Sequence, residues 1–388
     1  MDILTAFKKG LGLGLVLGVS AGAAYAATRT YQTESAMMID WTRVRQVANR
    51  VCDRYGGPAR IAERKAAEYE YRAMVELSGR LVSEYVGEAV PQPPEFVHVF
   101  DRKDWIDSNI HAFARLFEPL EKMNQDTLRR SPVAAQAIAA GGQLLLNSQV
   151  GLLLGYLSLR VLGQYDLALL GKEPISAGKL YFVEPNIAMT QRRLGLDERQ
   201  FRLWIALHET THAYQFEAHP WLRDYMNDLL QQSFATLGPG PKSQDWFKRV
   251  KAGIRTGNVL ELLMTSEQAR IFDKVQALMS LLEGYSNHVM QQVGGLVLPD
   301  YAIISRRFEA RLKERSFAER LFSKLTGLEL KREQYILGER FVAAVVGARG
   351  IAFMNQVWRS PNALPTLDDV RNPDRWVQRL DEGVGLAS

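Results

Sequence analysis

Residues 201–216 read FRLWIALHETTHAYQF, and His208, Glu209, Thr210, Thr211 and His212 within them form H-E-x-x-H. On an α-helix, side chains four residues apart stand one above the other, so His208 and His212 offer two imidazole nitrogens to one zinc ion. Glu209 lies beside them. A carboxylate one residue after the first ligand can reach the open coordination position, take a proton from water there and later deliver it to a leaving group. Phe201, Leu203, Trp204, Ile205 and Leu207 supply an apolar helix surface ahead of the motif, and Asp197 and Glu198 suit the positive end of that helix.

A catalytic zinc takes three protein ligands and keeps a fourth position for water. Four residues compete for the third place. His219 stands eleven residues after His208, near the spacing of the H-E-x-x-H-x-x-G-x-x-H class, but no glycine between Ala213 and Ala218 turns the chain back. The helix then runs on, carrying His219 roughly 10 Å along the axis from His212 at about 1.5 Å per residue, beyond reach of a Zn–N bond of about 2 Å. Pro220 ends that helix. Glu217, five residues past His212, points off the metal face. The other two candidates, Glu283 and His288, share a predicted second helix bearing Met279, Leu282, Val289 and Met290. Glu283 is preferred to His288, because it sits between Leu282 and Gly284, where helices can approach closely and a buried charge needs a partner.

The surrounding residues resemble a known family. His208 to Ala213, Gln215-Phe216 and Pro220 to Arg223 are similar to the signature of a bacterial zincin-like metallopeptidase family of uncharacterised hydrolases, sometimes associated with biosynthesis of a deazaflavin coenzyme. The resemblance continues in Leu162 to Asp166, Val183 to Asn186, Leu282 to Gly284, Tyr335 with Gly338 and Phe341, and Leu364 to Leu367, and it spans roughly residues 38–380. It implies a mostly helical zincin-like domain with zinc at His208 and His212, and it makes Glu283 the third ligand. It says little of the substrate. Two departures stand out: His219 occupies a position where the family has an apolar residue, and the first 35 residues look like an addition.

The 388 residues, 47% of them hydrophobic, are ample for a large buried core. A single cysteine, Cys52, excludes an intramolecular disulfide framework and a cysteine zinc cluster, and reads as a buried small side chain. The net charge of +5 makes no case for nucleic acid.

Residues 1–35 form a separate segment. No charge interrupts the chain between Lys9 and Arg29, a length that approaches a bilayer core of roughly 30 Å. Gly10, Gly14, Gly18 and Gly22 fall on one helix face, the close-packing surface by which membrane helices associate, which admits a homo-oligomer. Three readings stay open: a membrane anchor over residues 10–28, a cleaved signal peptide ending near Ala24-Tyr25-Ala26, and an amino-terminal extension. The first puts the protein at the cell membrane, the others make it secreted or cytoplasmic. Lys8-Lys9 against Arg29 favours a cytoplasmic amino terminus.

Elsewhere helical spacing dominates. Helices are expected over 41–55 with Asp40 as N-cap, over 59–86, 101–124, 132–140 and 143–163 with a break at Gly141-Gly142, from Trp221 to Leu237, from Ser243 to Arg255, over 259–292, and from Tyr335 to Met354. Phe96 to Phe100 and Leu180 to Val183 read as strands, Glu184-Pro185-Asn186 as a turn and Val293 to Pro299 as a loop. The Leu180 to Val183 strand, near the motif helix, is the expected edge for an extended peptide. His98 reads as a core or edge histidine and His111 as a solvated or capping one. The mixed charges of residues 301–333 read as a solvated helix surface.

The expectation is therefore a mainly α fold: a zincin-like helical domain over residues 36–388 with a small β element beside the H-E-x-x-H helix. Zinc sits on His208, His212 and Glu283, Glu209 is the general base, and Tyr335 is a candidate donor to a developing oxyanion as well as a packing residue. Peptide or protein is the expected substrate. The competing reading is a non-catalytic, membrane-tethered helical binding or scaffold protein with a structural or vestigial metal site, closed by His288 or His219 as a fourth ligand.

Overall fold

A computed structural model of the chain describes residues 39–56, 64–89, 96–129, 133–166, 179–235, 265–313 and 330–383. The expected anchor at 10–28, the Ser243 to Arg255 helix and the side chain of Tyr335 lie outside the described residues.

Among the described residues, Trp41–Tyr55 (α1) and Arg64–Val86 (α2) lead into strand Phe96–Phe100 (β1) and the long helices Arg102–Arg129 (α3) and Val133–Ser158 (α4). Strands Gly163–Asp166 (β2) and Lys179–Val183 (β3) follow, then helices Glu184–Leu194 (α5), Glu198–Glu217 (α6) and Trp221–Ala235 (α7). Ser266–Val297 (α8), Tyr301–Lys313 (α9) and Leu330–Arg349 (α10) come next. Gly350, at φ +81°, ends α10 and caps the short Ile351–Met354 (α11), and Leu367–Arg371 (α12) and Pro373–Asp381 (α13) close the chain. The fold is mainly α with one three-stranded sheet, as expected. No described helix is long and apolar enough to cross a membrane.

The sheet order is β1-β3-β2, with β1 parallel and β2 antiparallel to β3. Alternation sends Val97, Val99, Leu180, Phe182 and Tyr165 into one core, shared with Tyr71 and Val75 of α2 and Phe201 and Ile205 of α6. Val183 joins a second core with Val44 and Ala48 of α1, Trp105 and Ile106 of α3, and Leu154 of α4. The sheet thus separates two helical layers. Asn186, fully buried, ties them: it accepts from Arg102 Nε at 2.7 Å and donates to the carbonyls of Ser158 and Val161 just before β2.

Several expectations need correcting. Gly141-Gly142 does not break α4, because each helical glycine costs only about 1 kcal/mol against the packing of a 26-residue helix. Gly294-Gly295 likewise lie inside α8, which runs to Val297. Glu184-Pro185-Asn186 is the first turn of α5, since proline near a helix start gives up an amide that has no partner there anyway. The Leu180 to Val183 segment is the central strand, paired on both sides, so it has no free edge for a peptide. The strand beside the motif helix with an open side is β2, too short and too polar to read as a strand from its residues.

Helices α8 and α10 meet backbone to backbone. A Cβ on Gly338 would lie 1.8 Å from the Ser280 carbonyl oxygen, and one on Gly284 would lie 2.2 Å from the Gly338 carbonyl carbon. Gly338→Ala is therefore expected to destabilise the fold by about 1–3 kcal/mol or more in urea unfolding. Gly295→Ala, with nothing within 4 Å of the added methyl, should be neutral or stabilising by up to about 1 kcal/mol. Equal effects of the two substitutions would contradict the close crossing.

Candidate metal centre

Asp197 caps α6 by accepting from the Gln200 amide, and the helix runs unbroken to Glu217. His208 and His212 meet edge to face, at 85° and 4.7 Å between ring centres, with their Nε2 atoms 3.3 Å apart. Glu283 comes from the middle of α8, its Oε2 3.6 Å from His212 Nε2 and 4.0 Å from His208 Nε2. Among the described residues this is the one group of three or more His, Cys, Asp or Glu side chains arranged to hold a metal ion.

The triangle fits zinc. Bonds of about 2.0–2.2 Å at tetrahedral angles put ligand atoms roughly 3.3–3.5 Å apart, so two edges match and a small turn of the Glu283 carboxyl closes the third. Two imidazoles and one carboxylate are a donor set for a catalytic rather than a closed structural site. The side chains retain exposures of 21% for His208, 16% for His212 and 12% for Glu283, so the group opens to solvent on one side.

Further contacts aim these side chains. Gln215 Oε1 lies 2.9 Å from His212 Nδ1, and Ser286 Oγ and Met290 Sδ each lie 3.1 Å from His208 Nδ1. The Trp204 ring, one turn ahead, lies parallel to His208 within 7°. Glu209 is buried beneath β2: a Cβ on Gly163 would lie 2.7 Å from Glu209 Cγ, and the backbone amide of Tyr165 donates to the carboxylate.

Burial and neighbouring charge separate these groups. Burial, aided by His212, lowers His208 to about 4. Burial also acts to lower His212, but the nearby carboxylate of Glu283, with help from Glu209 and Gln215, lifts it to about 9. For Glu209, burial dominates and Glu283 adds to it, raising the carboxyl to about 7 against the opposing pull of His212 and the Tyr165 amide.

The remaining candidates go elsewhere. His288, on α8, places Nε2 2.7 Å from the Tyr85 hydroxyl of α2. His219 stacks on Trp358 at 12°, beyond the end of α6. Glu217 accepts from the Tyr165 hydroxyl and pairs with Arg223 at 3.3 Å. Tyr335 belongs to α10, three residues before the Gly338 crossing. His98 lies on the outer strand β1 against Phe100 and Tyr181, Cys52 is buried, and His111 is exposed. The sequence reading missed Gly163, Tyr165, Ser286 and Met290 as neighbours of the site. Gln215 had a usable signal: three residues after His212, it shares that residue's helix face.

A helical fold with an H-E-x-x-H helix, a short sheet beside it and a glutamate from a second helix defines a zincin-like protein. The chain belongs to the zincin-like metallopeptidase family, whose model matches residues 39–377. It is also similar to a crystal structure from Chloroflexus aurantiacus described as a "putative hydrolase with a novel fold", at 43% identity and a TM-score of 0.68, covering 88% of this chain and 99% of that one. No curated protein matches.

A nitrogen that binds metal must be bare, and a group raised to about 9 holds its proton at neutral pH, so a metal at His212 would have to displace it. Zinc added at pH 7 is expected to release about one proton, and its affinity to rise with pH towards 9. Calorimetry in buffers of different ionisation enthalpy measures the release; zinc affinity that is flat from pH 6 to 8 would contradict the His212–Glu283 coupling.

Proposed function

We propose that this protein is a zinc-dependent hydrolase acting as a metallopeptidase. One observation carries the reading: Glu209, with its carboxyl raised to about 7, stands beside a three-donor triangle that is open to solvent. His208, His212 and Glu283 would hold the metal. Zinc, when bound, would polarise a carbonyl and ease deprotonation of water. A base poised near the working pH can take a proton and return it in the same cycle, and Glu209 is assigned that role.

The edge of β2 is the favoured place for the substrate chain. The Val183 amide donates to the Leu162 carbonyl at 2.8 Å, which sets the alternation of the antiparallel pair. Gly163 and Tyr165 then turn their backbone groups away from β3, and the Tyr165 amide meets Glu209. The Gly163 amide and carbonyl face the same way, so an extended peptide pairing there would lie beside the proposed base. Tyr335, carried on the helix that crosses α8 at Gly284, is assigned the donor to the developing oxyanion.

Zinc-loaded protein should cleave members of a peptide library. Glu209→Gln is expected to keep its zinc and lose about 10²–10⁴-fold in turnover, while His212→Ala loses both. Tyr335→Phe should lower kcat by about 10²-fold or more with zinc retained. A zinc-loaded wild type that cleaves nothing, or a Glu209→Gln variant that turns over normally, would overturn the peptidase reading.

Residues 10–28 are proposed to tether the protein to a membrane, on the strength of their uncharged length and the Lys8-Lys9 flank. The full chain should float with lipid vesicles and the chain lacking residues 1–30 should not; equal behaviour of the two would remove the anchor.

A further inference from the structure

We infer that Gln215 is the positioning residue of this centre, a single amide that fixes the tautomer of His212 and, through the Leu282–Glu283 peptide, the place of Glu283. The inference rests on the metal-centre reading above. Gln215 is fully buried on α6, one turn past His212. Its Nε2 donates to the Leu282 carbonyl at 2.9 Å, and its Oε1 lies 2.9 Å from His212 Nδ1.

Hydrogen-bond direction follows from the partners. A backbone carbonyl only accepts, so Gln215 must turn its NH2 to Leu282, which leaves its oxygen for His212. That oxygen can only accept in turn, so His212 carries a proton on Nδ1. Its Nε2, facing His208 Nε2 and Glu283 Oε2, is then the nitrogen left for a metal once its proton is given up. The Leu282 carbonyl belongs to the peptide whose nitrogen is that of Glu283, so the same amide that orients one ligand on α6 pins the backbone of another on α8. A side chain buried this completely with both ends engaged costs dearly to replace, because each deserted partner is left without a hydrogen bond.

Among the described residues His208 has no equivalent. Its Nδ1 faces the Ser286 hydroxyl and the Met290 thioether, and a hydroxyl can rotate to donate or accept. Orientation of the centre therefore falls on Gln215.

The test uses the full chain and three measurements: zinc affinity by competition with a chelator, the visible spectrum of the cobalt-substituted protein, and the hydrogen-bonded Nδ1–H proton of His212 in ¹H–¹⁵N spectra of metal-free protein. Gln215→Leu, similar in size, should bind zinc about 10–100-fold more weakly and lose the slowly exchanging Nδ1–H signal. Gln215→Glu keeps an acceptor for His212 but sets a carboxylate against the Leu282 carbonyl; it should keep the Nδ1–H signal and shift the cobalt spectrum. Ser286→Ala should alter zinc affinity less than Gln215→Leu does. Zinc affinity in Gln215→Leu within twofold of wild type would overturn the inference, as would an unchanged cobalt spectrum in Gln215→Glu if the leucine variant does not fold. Wild type that binds no zinc would instead defeat the metal reading, leaving the Nδ1–H signal to judge Gln215 alone.

Discussion

The structure turns on bringing a carboxylate from α8 onto two histidines of α6, with oxygen-to-nitrogen separations of 3.6 and 4.0 Å. A buried negative charge is costly without a partner, and here the partners lie on another helix, so the packing of α6 on α8 and the electrostatics of the centre are one problem. Apolar contacts solve the larger part of it. Leu207 and Phe216 of α6 and Leu281, Tyr285 and Val289 of α8 belong to the same core, and α8 begins with a full capping box at Thr265 and Gln268. A 32-residue helix anchored along its length can hold one carboxylate still near its middle.

The electrostatic consequence is a division of labour among groups only a few ångströms apart. All lie in buried surroundings, which push histidines down and carboxyls up. Glu283 reverses that push for His212 and not for His208, because its Oε2 stands 3.6 Å from the former's Nε2 and 4.0 Å from the latter's. Glu209, with no positive partner strong enough to undo its burial, is left near 7, where a carboxylate can serve as base and acid in turn. The arrangement asks for one carboxylate paired and the other not, and the fold supplies this by giving Glu283 the histidines and Glu209 a single backbone amide.

Much of this was legible in the residues. His208, Glu209 and His212 are fixed by local helix geometry, and the exclusion of His219 needed only the absence of a glycine before it. Asp40, Trp41 to Tyr55 and Phe96 to Phe100 were readable from capping and alternation, and the structure has them at those positions. Glu283 is another matter. It lies 75 residues beyond His208, so spacing cannot connect them, and the preference for it over His288 drew on its neighbours and on family resemblance. Strand β2 was hidden because its four residues serve contacts rather than alternation: Gly163 clears space for Glu209, Gln164 accepts from the Trp105 indole, and Tyr165 reaches Glu217. No periodicity betrays a strand whose residues are chosen singly.

Glycine shows most sharply where local reading fails. Gly141-Gly142 and Gly294-Gly295 look like helix breakers and are not, since the loss of about 1 kcal/mol per glycine is small beside the burial gained by a long helix. Single glycines look innocuous and matter more. Gly163 makes room for Glu209, Gly284 follows Glu283 directly, and Gly338 faces Ser280 across the crossing. In each case what counts is the missing Cβ, because a neighbouring helix or carboxylate occupies its place. Such a requirement is a property of two segments at once, so it is invisible until both are assembled. The same logic bears on the centre: while Glu283 faces α6, Gly284, about 100° further round α8, gives α10 a seat at backbone distance, so adjacent faces of the helix are held by two partners.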